Sequence, residues 1–416
     1  MEEILYLLNP WWLNKKFSSG IPRPKYNQIL NSSLRHKRAV LIVGSRRTGK
    51  TTLLHQLIKK LLQEKTNPKQ ILYLLLDHPK LSSYKLLEIV QKFRQIHELK
   101  RSQKLYLFFD EVQYSPNWEQ QTKALFDTEK VKIYLSGSAS SQLLLKSPYL
   151  TGRLAKFTIF PANFQEFLTF KKIALSPSEH YLYPKIFDKY LQTGGYPEYL
   201  LQPDPTYFPD LINNILYKDI VALYGIRNPD LIRDLLLLLA DRSGHQTSYN
   251  KLANILGLNN DTVKEYIYYL KNSLLLTELP RHSTSRSKRI YSAKKFYLND
   301  NGLLFSLTGK INLGSAAEQT LLHHLNDKFD QVNFHYENQR EIDFIVNNQI
   351  AIESKYQFNS SFTKNLKFYV STAKDLGIKT LYVANRDQKK IIKHKNLKIH
   401  LIPLWQIALN PKILKP

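Results

Sequence analysis

The sequence predicts an α/β multidomain protein, on three observations. Its 416 residues exceed what one ordinary hydrophobic core accommodates, so we expect two to four domains. Continuous apolar runs at residues 39–43 and 105–109 are typical of buried strands in a parallel sheet covered by helices. Helical patterns fill the middle of the chain, and short strand-like runs return after residue 330.

The composition favours a polyanionic partner. The chain contains 60 Lys and Arg residues and 34 Asp and Glu residues, which gives a formal net charge of +26. DNA is the first candidate, and an acidic membrane surface is the alternative. The absence of cysteine excludes disulfides and thiol catalysis and fits a cytoplasmic location. No apolar run approaches the roughly 20 residues of a membrane span, so we expect no membrane insertion.

A phosphate-binding loop follows the first buried run. Gly44, Gly49, Lys50 and Thr51 satisfy the pattern G-x-x-x-x-G-K-[ST] between a strand and a helix. Backbone N–H groups of such a loop wrap phosphates, Lys50 reaches the β- and γ-phosphates, and Thr51 binds Mg²⁺. The sequence therefore predicts an ATP site, with Thr52 as a further nucleotide-binding residue.

Two later strand ends complete that site. Asp110 and Glu111 follow residues 105–109, where Asp110 would hold Mg²⁺ through water and Glu111 would polarise the attacking water. Ser136 and Ser138 end the next buried run, where a hydroxyl could contact the γ-phosphate or simply form a polar turn.

The order of these motifs resembles bacterial and archaeal AAA+ ATP-binding proteins with a C-terminal domain of unknown function. The resemblance also covers "IPRPKY" near the start, "LTGRLAKFTIFPANFQEFL" and "TGGYPEYL". It implies that Arg153 contacts a γ-phosphate, in cis or as an arginine finger in a neighbouring subunit of a homo-oligomer, such as a hexameric ring. A structural ion pair is the alternative role for Arg153.

A winged helix-turn-helix is predicted after a helical lid. Helices ending near residue 240, across 249–256 and across 262–272 have helix-turn-helix spacing, and two strand-like runs around a basic hairpin follow. This unit either contacts DNA phosphates or docks a protein. The candidate DNA-binding residues are Thr262, Lys264, Tyr268, Arg281, Arg286, Lys288, Arg289, Lys294 and Lys295.

Charged residues recur in the last region: Glu318 lies on a predicted helix, Asp343 on a strand, and Glu353 and Lys355 on one face of the next strand. This layout resembles the PD-(D/E)xK nuclease superfamily. In such a site the three acids bind Mg²⁺, and the lysine activates water. Glu341, two residues before Asp343, is either a further ligand or a solvated charge.

Four domains and one leading function follow. We expect an ATPase domain at 1–163, a helical lid at 164–228, a winged helix at 229–310 and a nuclease-like domain at 311–416. The leading interpretation is a DNA-remodelling or translocating ATPase for branched or broken DNA, in recombination or repair. Its C-terminal domain would bind or cut DNA. The alternatives are an ATP-switched signalling or defence protein, and a branch-migration motor whose nuclease-like domain only grips DNA.

Overall fold

The computed structural model divides the chain into two compact units, Met1–Phe160 and Pro161–Pro416. The predicted lid, winged helix and nuclease-like region all fall within the second unit. Within the described part of the chain, no helix has the length and apolar character of a membrane span. The structure describes residues 1–81, 83–138, 148–283, 285–357, 366–394 and 397–415.

The first unit contains a five-stranded parallel sheet in the order β2-β3-β4-β1-β5. Its strands are β1 Ala39–Gly44, β2 Ile71–Leu75, β3 Leu105–Asp110, β4 Val131–Ser138 and β5 Leu154–Ile159. β1 is buried along its whole length, as its continuous apolar run predicts for a sheet with both faces covered. The α-helices of this unit are Glu2–Leu8, Pro24–Ser33, Lys50–Gln63, Leu86–Ile96 and Trp118–Thr128.

The second unit begins with helices and continues into a three-helix arrangement. Gly257, at φ +63°, ends the second of those three helices, and the side chain of Asn259 caps the third. The helices up to residue 241 are Phe164–Phe170, Tyr183–Thr193, Pro197–Leu201, Tyr207–Asn213, Ala222–Tyr224 and Pro229–Asp241, with a π-helical stretch at Asn214–Val221. The two that follow are Tyr249–Leu256 and Asn260–Asn272.

A small antiparallel sheet in the order β6-β8-β7 accompanies these helices. Its strands are β6 Gln246–Thr247, β7 Leu276–Leu279 and β8 Lys294–Leu298. Between β7 and β8, where the sequence predicted a hairpin, the chain forms a short helix, Arg286–Tyr291. Helices Asn301–Thr308 and Leu313–Asn326 follow.

The second unit ends in a six-stranded mixed sheet in the order β13-β14-β12-β11-β10-β9. β9, β10 and β11 are antiparallel, and β11, β12 and β14 are parallel. Asn347 and Asn348 have φ of +47° and +56° and form a tight turn between β10 and β11. The strands are β9 Val332–Glu337, β10 Arg340–Val346, β11 Ile350–Ser354, β12 Thr380–Asn385, β13 Lys390–His394 and β14 Leu397–Pro403.

Two further helices, Leu366–Asp375 and Leu404–Leu409, belong to this region. Helix Leu313–Asn326 packs against β9, β10 and β11. The helix that carries Glu318 therefore lies next to the strands that carry Asp343 and Glu353.

Candidate functional site

The loop after β1 has the geometry that phosphate binding requires. Gly49 has φ +94°, a left-handed conformation that favours glycine. A side chain at Gly44 would approach Thr48 Oγ1 to 2.8 Å, so close packing requires glycine there. Thr48 Oγ1 in turn donates to the Ser45 carbonyl at 2.8 Å. The loop thus leads into a helix N-terminus whose N–H groups and dipole favour an anion.

Lys50 is the first residue of that helix, and its side chain is buried. Its amine donates to the carbonyl oxygens of Gly44 and Ser45, each at 3.2 Å. The same amine lies 3.7 Å from Glu111 Oε1. An ammonium held beside the loop in this way can contact the β- and γ-phosphates of a bound nucleotide.

The order of the strands brings hydroxyl groups to the acidic pair, because β4 lies between β1 and β3. Thr51 Oγ1 donates to Asp110 Oδ2 at 2.6 Å, and Ser136 donates to Asp110 Oδ1. Ser138 Oγ donates to Glu111 Oε2 at 3.4 Å. These five sequence-predicted residues form one connected network at the carboxyl edge of the sheet.

Glu111 has the charge state that water activation requires. Burial alone would raise the pKa of its carboxyl, but Lys50 and a 2.5 Å hydrogen bond from Gln113 outweigh burial and lower this pKa below its ordinary value. Glu111 is therefore ionised at neutral pH and can polarise a water molecule.

The oxygen donors of Thr51 and Asp110 fit the Mg²⁺ ion that accompanies ATP. Hydroxyl and carboxylate oxygens are the ligands that Mg²⁺ prefers, and these two groups converge in the structure. Thr51 would bind the ion directly and Asp110 through water, and the ion would neutralise phosphate charge. Thr52 lies beside Gly20, because a Cβ added at Gly20 would be 2.6 Å from Thr52 Cγ2.

Sequence reasoning did not single out Arg23, which supports the phosphate loop. Its guanidinium is only 2% exposed and donates to Thr48 O at 2.8 Å and Phe160 O at 2.9 Å. It also lies 4.6 Å from the centre of the Tyr26 ring. Arg23 and Tyr26 both belong to "IPRPKY", so the available signal was an arginine between two prolines before the first strand.

Replacing Arg23 with alanine should therefore weaken nucleotide binding. A lost charge-assisted hydrogen bond costs about 1.5–3 kcal/mol, so we expect ATP to bind roughly tenfold more weakly. Titration with a fluorescent ATP analogue measures this change. Arg35→Ala, at an exposed arginine of the same unit, is the control. Unchanged affinity in a folded Arg23→Ala protein would contradict a supporting role, and Arg23→Lys should restore affinity only partly, because an amine cannot reproduce the fork of the guanidinium.

Arg153 lies far from the phosphate loop of its own chain. Its carbonyl accepts a 2.8 Å bond from Ala39 N at the start of β1, whereas the loop follows the end of β1. At about 3.3 Å per residue, the strand separates these two ends by roughly 16 Å. Its Nε is 3.1 Å from Asp127 Oδ1, and the side chain is 39% exposed.

A second cluster of titratable groups lies on the C-terminal sheet. It consists of four carboxylates, which we call the carboxylate cluster: Glu318, Glu341, Asp343 and Glu353. Lys355 Nζ is 2.6 Å from Glu353 Oε1 and 4.0 Å from Asp343 Oδ2. The predicted acids and Lys355 are therefore brought together, and Glu341 joins them.

Lys295 of β8 pairs with three of the four members of this cluster. Its amine is 3.0 Å from Glu318 Oε1 and 3.5 Å from Asp343 Oδ1, and it also pairs with Glu341. Burial alone would lower the pKa of Lys295, but these carboxylates raise it above its ordinary value. Burial raises the pKa of Glu318 to about 7 and of Glu353 to about 8.

The predicted Mg²⁺ site on this sheet does not fit the structure. No group of three or more acidic or histidine side chains within the described ranges is arranged to hold a metal ion. The ammonium of Lys295 instead lies 3.0 Å from Glu318 and 3.5 Å from Asp343, between two of the predicted ligands. Lys355 is therefore an ion-pair partner of Glu353 and Asp343.

The basic residues of the predicted wing also differ from expectation. Lys294 and Lys295 are buried, at 7% and 1% exposure, so neither presents its amine to a DNA groove. Lys294 Nζ donates to the carbonyls of Ile290 and Ser292, each at 2.9 Å. Both lysines are thus corrected from DNA contacts to internal partners.

The other residues predicted to contact DNA differ in their exposure and in their partners within the chain. Arg281 donates to the carbonyl of Tyr336 and lies 5.5 Å from that ring. Lys264 is exposed and pairs with Asp261 at 3.0 Å, and the backbone N–H of Thr262 donates to Asn259. Tyr268 is 41% exposed. The side chains of three candidates lie outside the described part: Arg286, Lys288 and Arg289.

A basic groove lies elsewhere in the second unit, at the β13 edge of the C-terminal sheet. Its volume is about 1100 Å³. Tyr382 and His400 contribute rings 5.1 Å apart. None of the described residues that line it is acidic. Five exposed lysines line what we call the lysine groove: Lys389, Lys390, Lys398, Lys412 and Lys415.

Two family models match the chain. An AAA domain matches residues 36–168, and a domain of unknown function (DUF8612) matches residues 184–313. The first match contains the phosphate loop and all five members of its network. Residues 36–168 thus match an AAA domain, and this similarity implies ATP binding.

Relatives align along most of the chain. The uncharacterized protein MJ1544 of Methanocaldococcus jannaschii is 27% identical over 412 residues, 92% of this chain and 91% of its own. An uncharacterized protein of Haemophilus influenzae is 26% identical over 380 residues, 83% of this chain and 93% of its own.

Solved structures align over part of the chain. AMPPCP-bound DnaA from Aquifex aeolicus aligns at a TM-score of 0.30 and 15% identity, over 64% of this chain and 92% of that chain. C. elegans PCH-2 aligns at a TM-score of 0.24 and 19% identity, over 58% of this chain and 64% of that chain.

Proposed function

We propose that the AAA ATPase domain hydrolyses ATP and that the chain uses this hydrolysis to remodel or translocate on DNA. The observation that carries the proposal is the convergence of Lys50, Thr51, Asp110 and Glu111 at one edge of the parallel sheet. Lys50 binds the β- and γ-phosphates, and Glu111 orients and polarises the attacking water. Ser136 and Ser138 fix the two acids and supply hydroxyls toward the γ-phosphate.

Arg153 completes the ATP site of a neighbouring copy. Its position at the opposite edge of the sheet from its own phosphate loop supports action in trans, since its side chain is too short to cross roughly 16 Å. That side chain is partly exposed to solvent, and so is its partner Asp127. Exposed ion pairs are weak, so a phosphate can replace Asp127. The proposal therefore includes a homo-oligomer.

The lysine groove binds the DNA backbone. Its five lysines face a space without described acidic neighbours, and the chain carries a formal net charge of +26. Contacts of lysine to phosphate release counterions and do not depend on base sequence, which supports binding of duplex or branched DNA of any sequence. Of the two roles predicted for the C-terminal region, these features favour gripping DNA over cutting it.

Removing three groove lysines should weaken DNA binding in a salt-dependent way. For Lys390→Ala, Lys398→Ala and Lys412→Ala combined, we expect the slope of log K against log salt concentration to fall by roughly 2–3 for duplex DNA. Fluorescence anisotropy at several salt concentrations measures the slope.

A triple change elsewhere in the same unit provides the matched control. Lys185, Lys189 and Lys251 are also exposed, so their replacement with alanine removes the same charge from other surfaces. An equal decrease of the slope in both triple variants would show that only the overall charge matters. That result would contradict the lysine groove as the DNA-binding site. ATP hydrolysis without DNA should be the same in both proteins.

A further inference from the structure

We propose that Lys295 is the built-in cation of the carboxylate cluster, so that this cluster is a metal-free joint between β8 and the C-terminal sheet. The inference does not depend on the proposed ATPase or on DNA binding. It concerns only residues of the second unit, and it replaces the nuclease chemistry that the sequence predicted there.

The ammonium of Lys295 lies among carboxylates from two different elements. Lys295 Nζ lies within 3.5 Å of carboxylate oxygens from both Glu318 and Asp343, and it pairs with Glu341 as well. These acids come from the helix Leu313–Asn326 and from β10, so one charge joins two elements. A divalent cation bound by the same oxygens would need that position and would be repelled by the ammonium.

Strands β8 and β6 also supply hydrogen-bond donors to the carboxylates that Lys295 contacts. Tyr297 is two residues from Lys295 and therefore on the same strand face, and its hydroxyl donates to Glu318 Oε1 at 2.7 Å. Gln246 pairs directly with Lys295 across the sheet, and its amide donates to Glu341 Oε2 at 2.7 Å. Three side chains of one small sheet thus satisfy this face of the cluster.

The other carboxylate oxygens of Asp343 and Glu353 also have hydrogen-bond or ion-pair partners. Asp343 Oδ2 accepts from the Ser354 N–H at 2.8 Å. Glu353 Oε1 accepts from the Tyr369 hydroxyl at 2.9 Å and contacts Lys355 at 2.6 Å, and Glu353 Oε2 accepts from the Asp343 N–H at 3.3 Å. A metal ion would have to displace several of these donors as well as Lys295.

The amine of Lys295 determines whether the carboxylate cluster can bind a metal ion. The wild-type cluster holds no divalent ion and does not cut DNA, because the ligand position is filled by the chain itself. Removing only the amine, as in Lys295→Met, leaves Glu318, Glu341 and Asp343 around a vacant position with an excess of negative charge. Such a set of oxygen ligands binds a hard divalent cation.

The test is Mn²⁺ binding to the nucleotide-free full chain, measured as the loss of the electron paramagnetic resonance signal of free Mn²⁺. Binding that disappears when the Asp343→Asn substitution is introduced into the same chain is assigned to the carboxylate cluster. This control separates it from any ion at Thr51 and Asp110. For Lys295→Met we expect a gain of about one such ion per chain, whereas the wild type should show none at this cluster. Mn²⁺ should also raise the lowered melting temperature of this variant.

Lys294→Met is the matched control. Lys294 precedes Lys295 on the same strand and is also buried, and its amine donates to the backbone carbonyls of Ile290 and Ser292. This variant should gain no Mn²⁺ site. A gain equal to that of Lys295→Met would overturn the proposal.

A comparison of the wild type with Asp343→Asn also decides the question, which matters if Lys295→Met does not fold. Wild type and Asp343→Asn should bind the same amount of Mn²⁺, and neither should cut plasmid DNA in Mg²⁺ or Mn²⁺. Mn²⁺ binding or DNA cleavage that depends on Asp343 in the wild type would overturn the inference. So would a folded Lys295→Met protein without an additional ion.

Discussion

Replacing Glu111 with glutamine is expected to reduce ATP turnover by about 100- to 1000-fold. The amide keeps the size of the side chain but cannot polarise water as a carboxylate does. The lowered pKa of Glu111 means that the wild-type group is charged throughout the neutral range, so the change removes a full charge. Steady-state phosphate release measures the loss.

ATP binding should survive the same change. Glu111 lies 3.7 Å from Lys50, so its neutralisation frees the ammonium for the phosphates and does not remove a nucleotide contact. Glu64→Gln, at an exposed acid that pairs with Lys60 on the phosphate-loop helix, is the control and should retain wild-type turnover. A Glu111→Gln protein that binds ATP and hydrolyses it at more than about a tenth of the wild-type rate would remove this residue from the reaction.

Replacing Arg153 with alanine is expected to reduce turnover by about 100-fold or more, since an arginine finger stabilises charge that develops in the transition state. The phosphate loop of the same chain is at the other end of β1, so the loss should not affect ATP binding by the variant. Arg101→Ala is the control, because the Arg101 side chain is 86% exposed and lies 4.0 Å from its partner Glu129.

A mixing experiment separates action in trans from action in cis. Lys50→Ala keeps Arg153 but loses the phosphate contact, whereas Arg153→Ala keeps an intact phosphate loop. Mixed oligomers of the two inactive variants should recover part of the wild-type turnover, because each supplies what the other lacks. Mixtures that form and stay inactive would contradict a role of Arg153 in trans.

The convergence of these side chains at the carboxyl edge of the parallel sheet could be predicted because its information is local. Glycine spacing, Lys50 and Thr51 lie within eight residues, and buried strands end directly before Asp110 and Ser136. In a parallel sheet those ends meet at one edge, whatever the strand order. Arg23 escaped prediction because its partners, the carbonyls of Thr48 and Phe160, carry no side-chain signal.

The basic residues near β8 show where pattern reasoning failed. Lys294 and Lys295 follow a Ser- and Arg-rich segment, so the sequence alone places them in one exposed basic wing. Charge composition does not reveal counter-charges 23 to 48 residues away, which is where Glu318 and Asp343 stand relative to Lys295. A usable signal was the strand "KKFYL", whose period of two places Lys295 and Tyr297 on one face.

ATP turnover by the wild-type protein, titrated with duplex, single-stranded and four-way-junction DNA in Mg²⁺ buffer, tests most directly whether DNA drives the ATPase. We expect a basal rate that rises to a plateau with DNA and loses its DNA dependence as salt is raised. Turnover that is the same with and without every DNA, at low salt, would contradict a DNA-driven motor and favour a nucleotide-controlled switch.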